Sequence, residues 1–169
     1  YSNKSFLASS QTTFPHGVFL KSDGTKMFIS DPANNRVHSY NLSTAWDVSS
    51  ASYITYYATT VMPAGIFFNS TGTRMYLVDM TNNQIREYIL STGFDLSTTG
   101  YNTYISFALD APISLTMNTS CSKLYVLGQN NSRVYQYTLS TPADLSTCTY
   151  DSKSYLFSSQ TTVGRGVCL

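Results

Sequence analysis

The side chains best suited to chemistry are few and scattered. The chain has two histidines, His16 and His38, and three cysteines, Cys121, Cys148 and Cys168. No group of His, Cys, Asp or Glu has the short spacing of a metal site. There is no Gly-rich phosphate loop and no G-x-S-x-G nucleophile elbow, so neither a cofactor nor a catalytic residue is indicated. Asp31 and Asp79 are each followed by Asn three and four positions on. Such oxygens suit calcium or an Asx turn in which the carboxylate accepts backbone N–H groups. The turn is the expected use, because the motif recurs along the chain, as do Asp47, Asp95 and Asp144, and catalysis needs one copy of a site.

The elements that carry these residues follow from an internal repeat. Three segments align: FPHGVFLKSDGTKMFISDPANNRVHSYNLSTAWDVSSASY from Phe14, MPAGIFFNSTGTRMYLVDMTNNQIREYILSTGFDLSTTGY from Met62, and APISLTMNTSCSKLYVLGQNNSRVYQYTLSTPADLSTCTY from Ala111. Pro15, Pro63 and Pro112 correspond, a period of about 48–49 residues. SFLASSQTTFPHGVFL near the start recurs as SYLFSSQTTVGRGVCL at the end. Each repeat reads as four strands. A short apolar strand (Gly17–Leu20 in the first copy) leads through a Gly-bearing turn to a nearly continuous apolar strand (Lys26–Ile29), as burial on both faces requires. An Asn-rich turn precedes an alternating strand, with Val37, Ile85 and Val134 on one face. The LST segment and its Asp then lead to a Tyr- and Thr-rich strand (Tyr53–Tyr57) fit for a solvated rim. No stretch has a helical period.

Four strands in a repeat of this length make a propeller blade, and the chain is expected to be an all-β protein of about three blades. The pattern P-x-G-[VI]-x-F, DGT-x-[MY], D-x-x-NN-[RQ]-[VI]-x-x-[FY] resembles the NHL and YVTN-type propeller repeats over most of the chain. The trailing LST-x-[WF]-D-[VL]-S-[ST] is similar to propeller repeats of surface and fibre proteins of environmental microbes and phages. The third copy departs from this pattern at Ala143, where the others have Trp46 and Phe94, and at Gly128, where they have Asp31 and Asp79. The expected organisation is a partial blade over 1–13, blades over about 14–61, 62–110 and 111–162, and the start of another over 163–169. An outer strand is expected over Ser5–Ser10 and an inner strand over Val167–Leu169. Closed propellers have about four to eight blades. The chain is therefore expected to be part of a longer propeller or to associate with copies of itself, closing a ring or growing a filament.

His16 opens an innermost strand, where a propeller lines its channel, and corresponds to Ala64, Ile113 and Arg165. One imidazole, one guanidinium and two apolar residues are not the converging ionisable set that an active channel needs. Trp46 and Phe94 are expected to pack between blades, with sugar stacking as the alternative. Cys121, where the other copies have Gly24 and Gly72, and Cys148 lie in turns of one blade, which suits a disulfide and an oxidising compartment. Cys168 aligns with Phe19 and Phe67 and is expected to be buried.

Charged residues are only 11% and the net charge is +1, so nothing points to nucleic acid. No apolar run approaches the ~20 residues that span a bilayer. Neither an initiator Met nor a signal peptide opens the sequence at Tyr1, as expected of a mature or excised piece. Five N-x-S/T sequons stand at Asn3, Asn41, Asn69, Asn118 and Asn130, mostly in expected loops, where glycans can attach. The expected function is an extracellular, secreted or cell- or virion-surface, glycosylated scaffold that self-assembles. A glycan- or protein-binding propeller is the alternative, and a propeller-type hydrolase a third.

Overall fold

The computed structural model describes residues 3–106, 111–161 and 164–169. The second blade's expected end (107–110) and the boundary of the third (162–163) lie outside the described residues, as do residues 1–2 of the first partial blade. The described chain forms three antiparallel meanders of four strands each. The first sheet holds β1 (Val18–Leu20), β2 (Lys26–Asp31), β3 (Arg36–Leu42) and β4 (Ala51–Ala58). The second holds β5 (Pro63–Phe68), β6 (Arg74–Asp79), β7 (Gln84–Leu90) and β8 (Thr99–Ser106). The third holds β9 (Pro112–Met117), β10 (Lys123–Gly128), β11 (Arg133–Leu139) and β12 (Cys148–Leu156). These are blades of a β-propeller, with β1, β5 and β9 innermost and in contact in sequence.

The local causes repeat from blade to blade. The first hairpin turns on Gly24 and Gly72 at positive φ, a conformation glycine adopts without steric cost. Asn35, Asn83 and Ser132 each take a φ of 53° in the second turn. Asp47, Asp95 and Asp144 cap short 3-10 helices by accepting the backbone N–H of Ser49, Ser97 and Ser146. A register shift recurs between the third and fourth strands, at Ser39/Tyr40, Glu87/Tyr88 and Gln136/Tyr137. Such bulges sharpen the twist of the outer ribbon.

The core lies between blades. Phe28 and Val37 of the first blade pack against Ile66, Phe68, Met75, Tyr88 and Phe94 of the second. Tyr76, Val78 and Ile85 of the second pack against Leu115, Leu124, Val126 and Leu145 of the third. The second blade thus buries one face against the first blade and the other against the third.

Two expected strands do not form. Residues 5–10 and 167–169 lack strand structure. A ladder needs a partner, and no described residue supplies the neighbouring strand that either segment would pair with. Cys168 is exposed rather than buried for the same reason.

Candidate functional site

Three features present chemistry or contact surface: the channel wall, the blade-joining loops and the two outward blade faces.

The channel wall encloses a cavity of about 360 Å³ lined by His16, Phe19, Phe67, Ser114, Thr116 and Arg165, among others. Burial lowers the pKa of His16, and the positive charge of Arg165 lowers it further. The imidazole and the guanidinium therefore share one space, as the alignment of positions implied. Ala64 and Ile113 do not. Both are fully buried between blades, and Gly65 and Ser114 face the cavity in their place. The reason is close approach of the strands: a Cβ on Gly65 would stand 2.9 Å from Ser114 Cα. No carboxylate is among the described residues that line this cavity, so its chemistry is that of an anion or hydroxyl contact.

The loops bearing Trp46, Phe94 and Ala143 join blades. Lys26 Nζ of the first blade donates to the Phe94 carbonyl of the second at 3.1 Å. Arg74 Nη1 of the second donates to the Ala143 carbonyl of the third at 3.2 Å, and Tyr76 Oη donates to the same oxygen. Glu87, fully buried, pairs with Arg74 of its own blade and accepts the Leu145 N–H of the third blade at 2.7 Å. Sequence reading missed this group. Its counterparts are Ser39 and Gln136, so the repeat gave no sign of a joining acid.

Phe94 packs in the cluster between the first and second blades. Its ring lies 6.2 Å from Phe28 and 5.5 Å from Phe68 with Lys21 over it. Trp46, its counterpart, is 59% exposed, because no described blade lies on that side of it. Trp46 covers Gly24 and Phe94 covers Gly72 so closely that a Cβ on either glycine would enter the ring. In the third blade the loop carries Ala143, and Cys121 stands at the glycine position with a φ of 51°. Cys121 and Ala143 belong to one cluster, so the thiol fills the space the missing ring leaves. That packing role accounts for Cys121 without a disulfide. Both Cys121 and Cys148 are free thiols in the structure, contrary to the expected bridge. Burial raises both pKa values, that of Cys148 to about 12.

The repeated acids act in turns, as expected. Asp79 accepts the N–H of Thr81 and Asn82 and the guanidinium of Arg86, the last at 2.8 Å. Asp31 bonds Asn34 and lies 3.3 Å from the buried His38. Among the described residues no group of three His, Cys, Asp or Glu could hold a metal. Of the sequon residues, Asn3, Asn41 and Asn130 are exposed. Asn69 and Asn118 are half-buried, and their amides brace the first hairpin: Asn69 Oδ1 accepts the Arg74 N–H, and Asn118 Oδ1 accepts those of Ser122 and Lys123.

The outward faces repeat the buried ones. Val37 and Ile85 are fully buried by the next blade, whereas their counterpart Val134 is half-buried and Tyr155 beside it is 63% exposed. On the first blade, Val18 is 63% exposed, while its counterparts Ile66 and Leu115 lie inside the clusters.

No protein-family model matches the chain, and no curated protein sequence does. The fold is shared with many solved structures. A protein of unknown function from Desulfotomaculum acetoxidans superposes with a TM-score of 0.61 at 14% identity, covering 84% of this chain and 42% of that one. The periplasmic gluconolactonase of Pseudomonas aeruginosa gives 0.60 at 15%, covering 84% and 40%. Hydrazine synthase of Kuenenia stuttgartiensis gives 0.59 at 14%, covering 90% and 39%. The chain thus spans about two fifths of the length of these structures. Likeness at this identity shows the propeller fold alone.

Proposed function

We propose that the chain is an extracellular scaffold of NHL- or YVTN-like propeller repeats, which assembles through its blade faces and carries N-linked sugars on its loops. One observation carries this reading: the outward apolar faces of the first and third blades have no neighbouring blade among the described residues, and Val18 and Trp46 on the one and Tyr155 on the other stay exposed where their counterparts Ile66 and Phe94 are buried. Large apolar side chains left exposed on an unpartnered sheet face mark a contact surface. The low charge and the abundance of Ser, Thr and Tyr suit a packed, weakly charged surface protein. Of the five sequons, Asn3, Asn41 and Asn130 present exposed side chains and are the expected glycan carriers. Asn69 and Asn118 are expected to stay unmodified, because their amides are bound into the hairpin. Intact mass before and after deglycosylation tests this directly. Glycan on Asn69 or Asn118, with Asn41 and Asn130 bare, contradicts it.

A second reading, a ligand-binding or hydrolytic propeller, is favoured by the His16–Arg165 cavity and by the name of the gluconolactonase neighbour. One guanidinium and one imidazole without a carboxylate suit binding of an anionic or hydroxylated ligand better than general acid–base chemistry. Turnover of a sugar lactone that falls at least tenfold in His16→Ala would establish the hydrolytic reading over the scaffold.

A further inference from the structure

The first blade's open face is partly covered, and what covers it identifies its partner. Residues 4–12, KSFLASSQT, nearly repeat residues 153–161, KSYLFSSQT, which end the outer strand of the third blade and follow it. The two stretches also fold alike. The N–H groups of Gln11 and Thr12 return to the Ala8 carbonyl, and those of Gln160 and Thr161 return to that of Phe157. Tyr155 stands opposite Val134 just as Tyr57 stands opposite Val37. Tyr57 meets Tyr88 of the next blade edge-on at 5.5 Å. Phe6, the counterpart of Tyr155, meets Tyr40 edge-on at 5.0 Å, and Tyr40 is the counterpart of Tyr88. Residues 4–12 therefore occupy, on the first blade, the place that a preceding blade's outer strand takes, and their sequence differs from that of the third blade only at Phe6 and Ala8.

The other end shows the same relation. Residues 166–169, GVCL, match the GVFL of residues 17–20 except at Cys168, and the Val167 N–H donates to Ser114 Oγ at 3.2 Å. Gly166 and Val167 line one cavity with Leu127, Val134, Tyr155 and Phe157 of the third blade, and Val167 packs against the cluster that holds Leu127 and Phe157. That is where a following blade's innermost strand belongs.

We propose that the third blade of one copy docks on the first blade of a second copy, and that each terminal segment is a stand-in which the incoming blade displaces. The proposal rests on the scaffold reading and names its contact. The internal interfaces supply the bonding. Lys26 and Arg74 donate to the Phe94 and Ala143 carbonyls of the following blade, and Lys123 is next in that series, with the Trp46 carbonyl of the second copy as its acceptor. Tyr125, counterpart of Phe28 and Tyr76, meets the Trp46 ring, and Tyr155 takes the place of Phe6 on Tyr40. Such a contact is heterologous and closes into a ring or runs on as a filament according to the rotation per blade. The tethered stand-ins make it weak in the resting chain, since an intramolecular segment competes at high effective concentration.

Sedimentation velocity of the full chain and its variants tests the proposal, with circular dichroism to confirm that each variant is folded. Phe6→Asp sets a carboxylate against Tyr40 and releases the stand-in, so self-association should tighten at least tenfold. Adding Val134→Asp, or Tyr155→Lys at the more exposed site should Val134→Asp fail to fold, should abolish it. If the wild type associates and folded variants associate equally, the contact lies elsewhere; the proposal falls and the scaffold reading stands. If Phe6→Asp is folded and monomeric at every concentration, the faces belong to further blades of one chain, and the second copy is excluded together with self-assembly.

Discussion

At the scale of single residues, the exceptions to the repeat are informative. Cys121 read from sequence as one end of a disulfide, because the position is glycine in the other blades and Cys148 follows nearby. The structure gives it to packing, since Ala143 leaves a gap where Phe94 and Trp46 place rings. Ala143→Phe alone should therefore destabilise by about 1–3 kcal/mol through overpacking. Adding Cys121→Gly should recover most of that loss, a coupling that a double-mutant cycle in urea would read. Glu87 could not be found from its spacing, because Ser39 and Gln136 occupy the same position in blades that need no buried acid. Glu87→Ala strands Arg74 and the Leu145 N–H and should cost about 3 kcal/mol in urea unfolding. Tyr40 Oη is buried with no partner among the described residues, so Tyr40→Phe should be neutral or stabilising by up to about 1 kcal/mol. His38 gives the acid response. Burial lowers its pKa from 6.5, Asp31 opposes that in part, and Arg36 adds to it. The unfolded imidazole therefore takes up its proton first, and stability present above about pH 6.5 falls as pH drops through that value. His16 shares the sign. Burial raises the pKa of Asp31, but bonds from Asn34, His38 and Thr12 outweigh it and hold the group below 3.8, so its contribution is lost only at lower pH. Urea midpoints at pH 7 and pH 5 should differ less in His38→Gln than in the wild type; an unchanged difference would contradict this assignment.

At the scale of elements, most of the fold was legible because each strand and turn is written three times. Continuous apolar runs marked β2, β6 and β10, alternation marked β3, β7 and β11, and the Gly and Asp positions marked the turns. The 3-10 helices were not legible, since three residues carry no period and only the cap geometry of Asp47, Asp95 and Asp144 defines them. The two terminal segments were misread as strands because sequence pattern records a strand's propensity and not the presence of its partner. The channel positions were displaced by one residue in the second and third blades, because strand contact at Gly65 and Ser114 turns Ala64 and Ile113 inward. The hairpin at Gly72 is the most constrained element: φ is +70°, and a Cβ would enter the Phe94 ring. Gly72→Ala should cost about 2 kcal/mol or more, combining left-handed strain with overpacking. Thermal melting reads this, and a cost near zero would show that the Phe94 loop yields easily.

At the scale of the whole molecule, the three described blades bury two interfaces and leave two apolar faces, each partly covered by a short segment placed where a neighbouring blade's strand belongs. The sequence displayed the near-identity of its two ends, but it could not show that these ends lie on the faces where the neighbouring blades belong; that required the Phe6–Tyr40 contact and the placement of Val167. The central claim is that these faces join blades of separate copies. Sedimentation velocity of the unmodified chain beside Phe6→Asp, over a hundredfold concentration range, tests it most directly. The account predicts species of two or more copies that grow with concentration and form at least tenfold more readily in Phe6→Asp. A folded Phe6→Asp that sediments as a single copy throughout would contradict it.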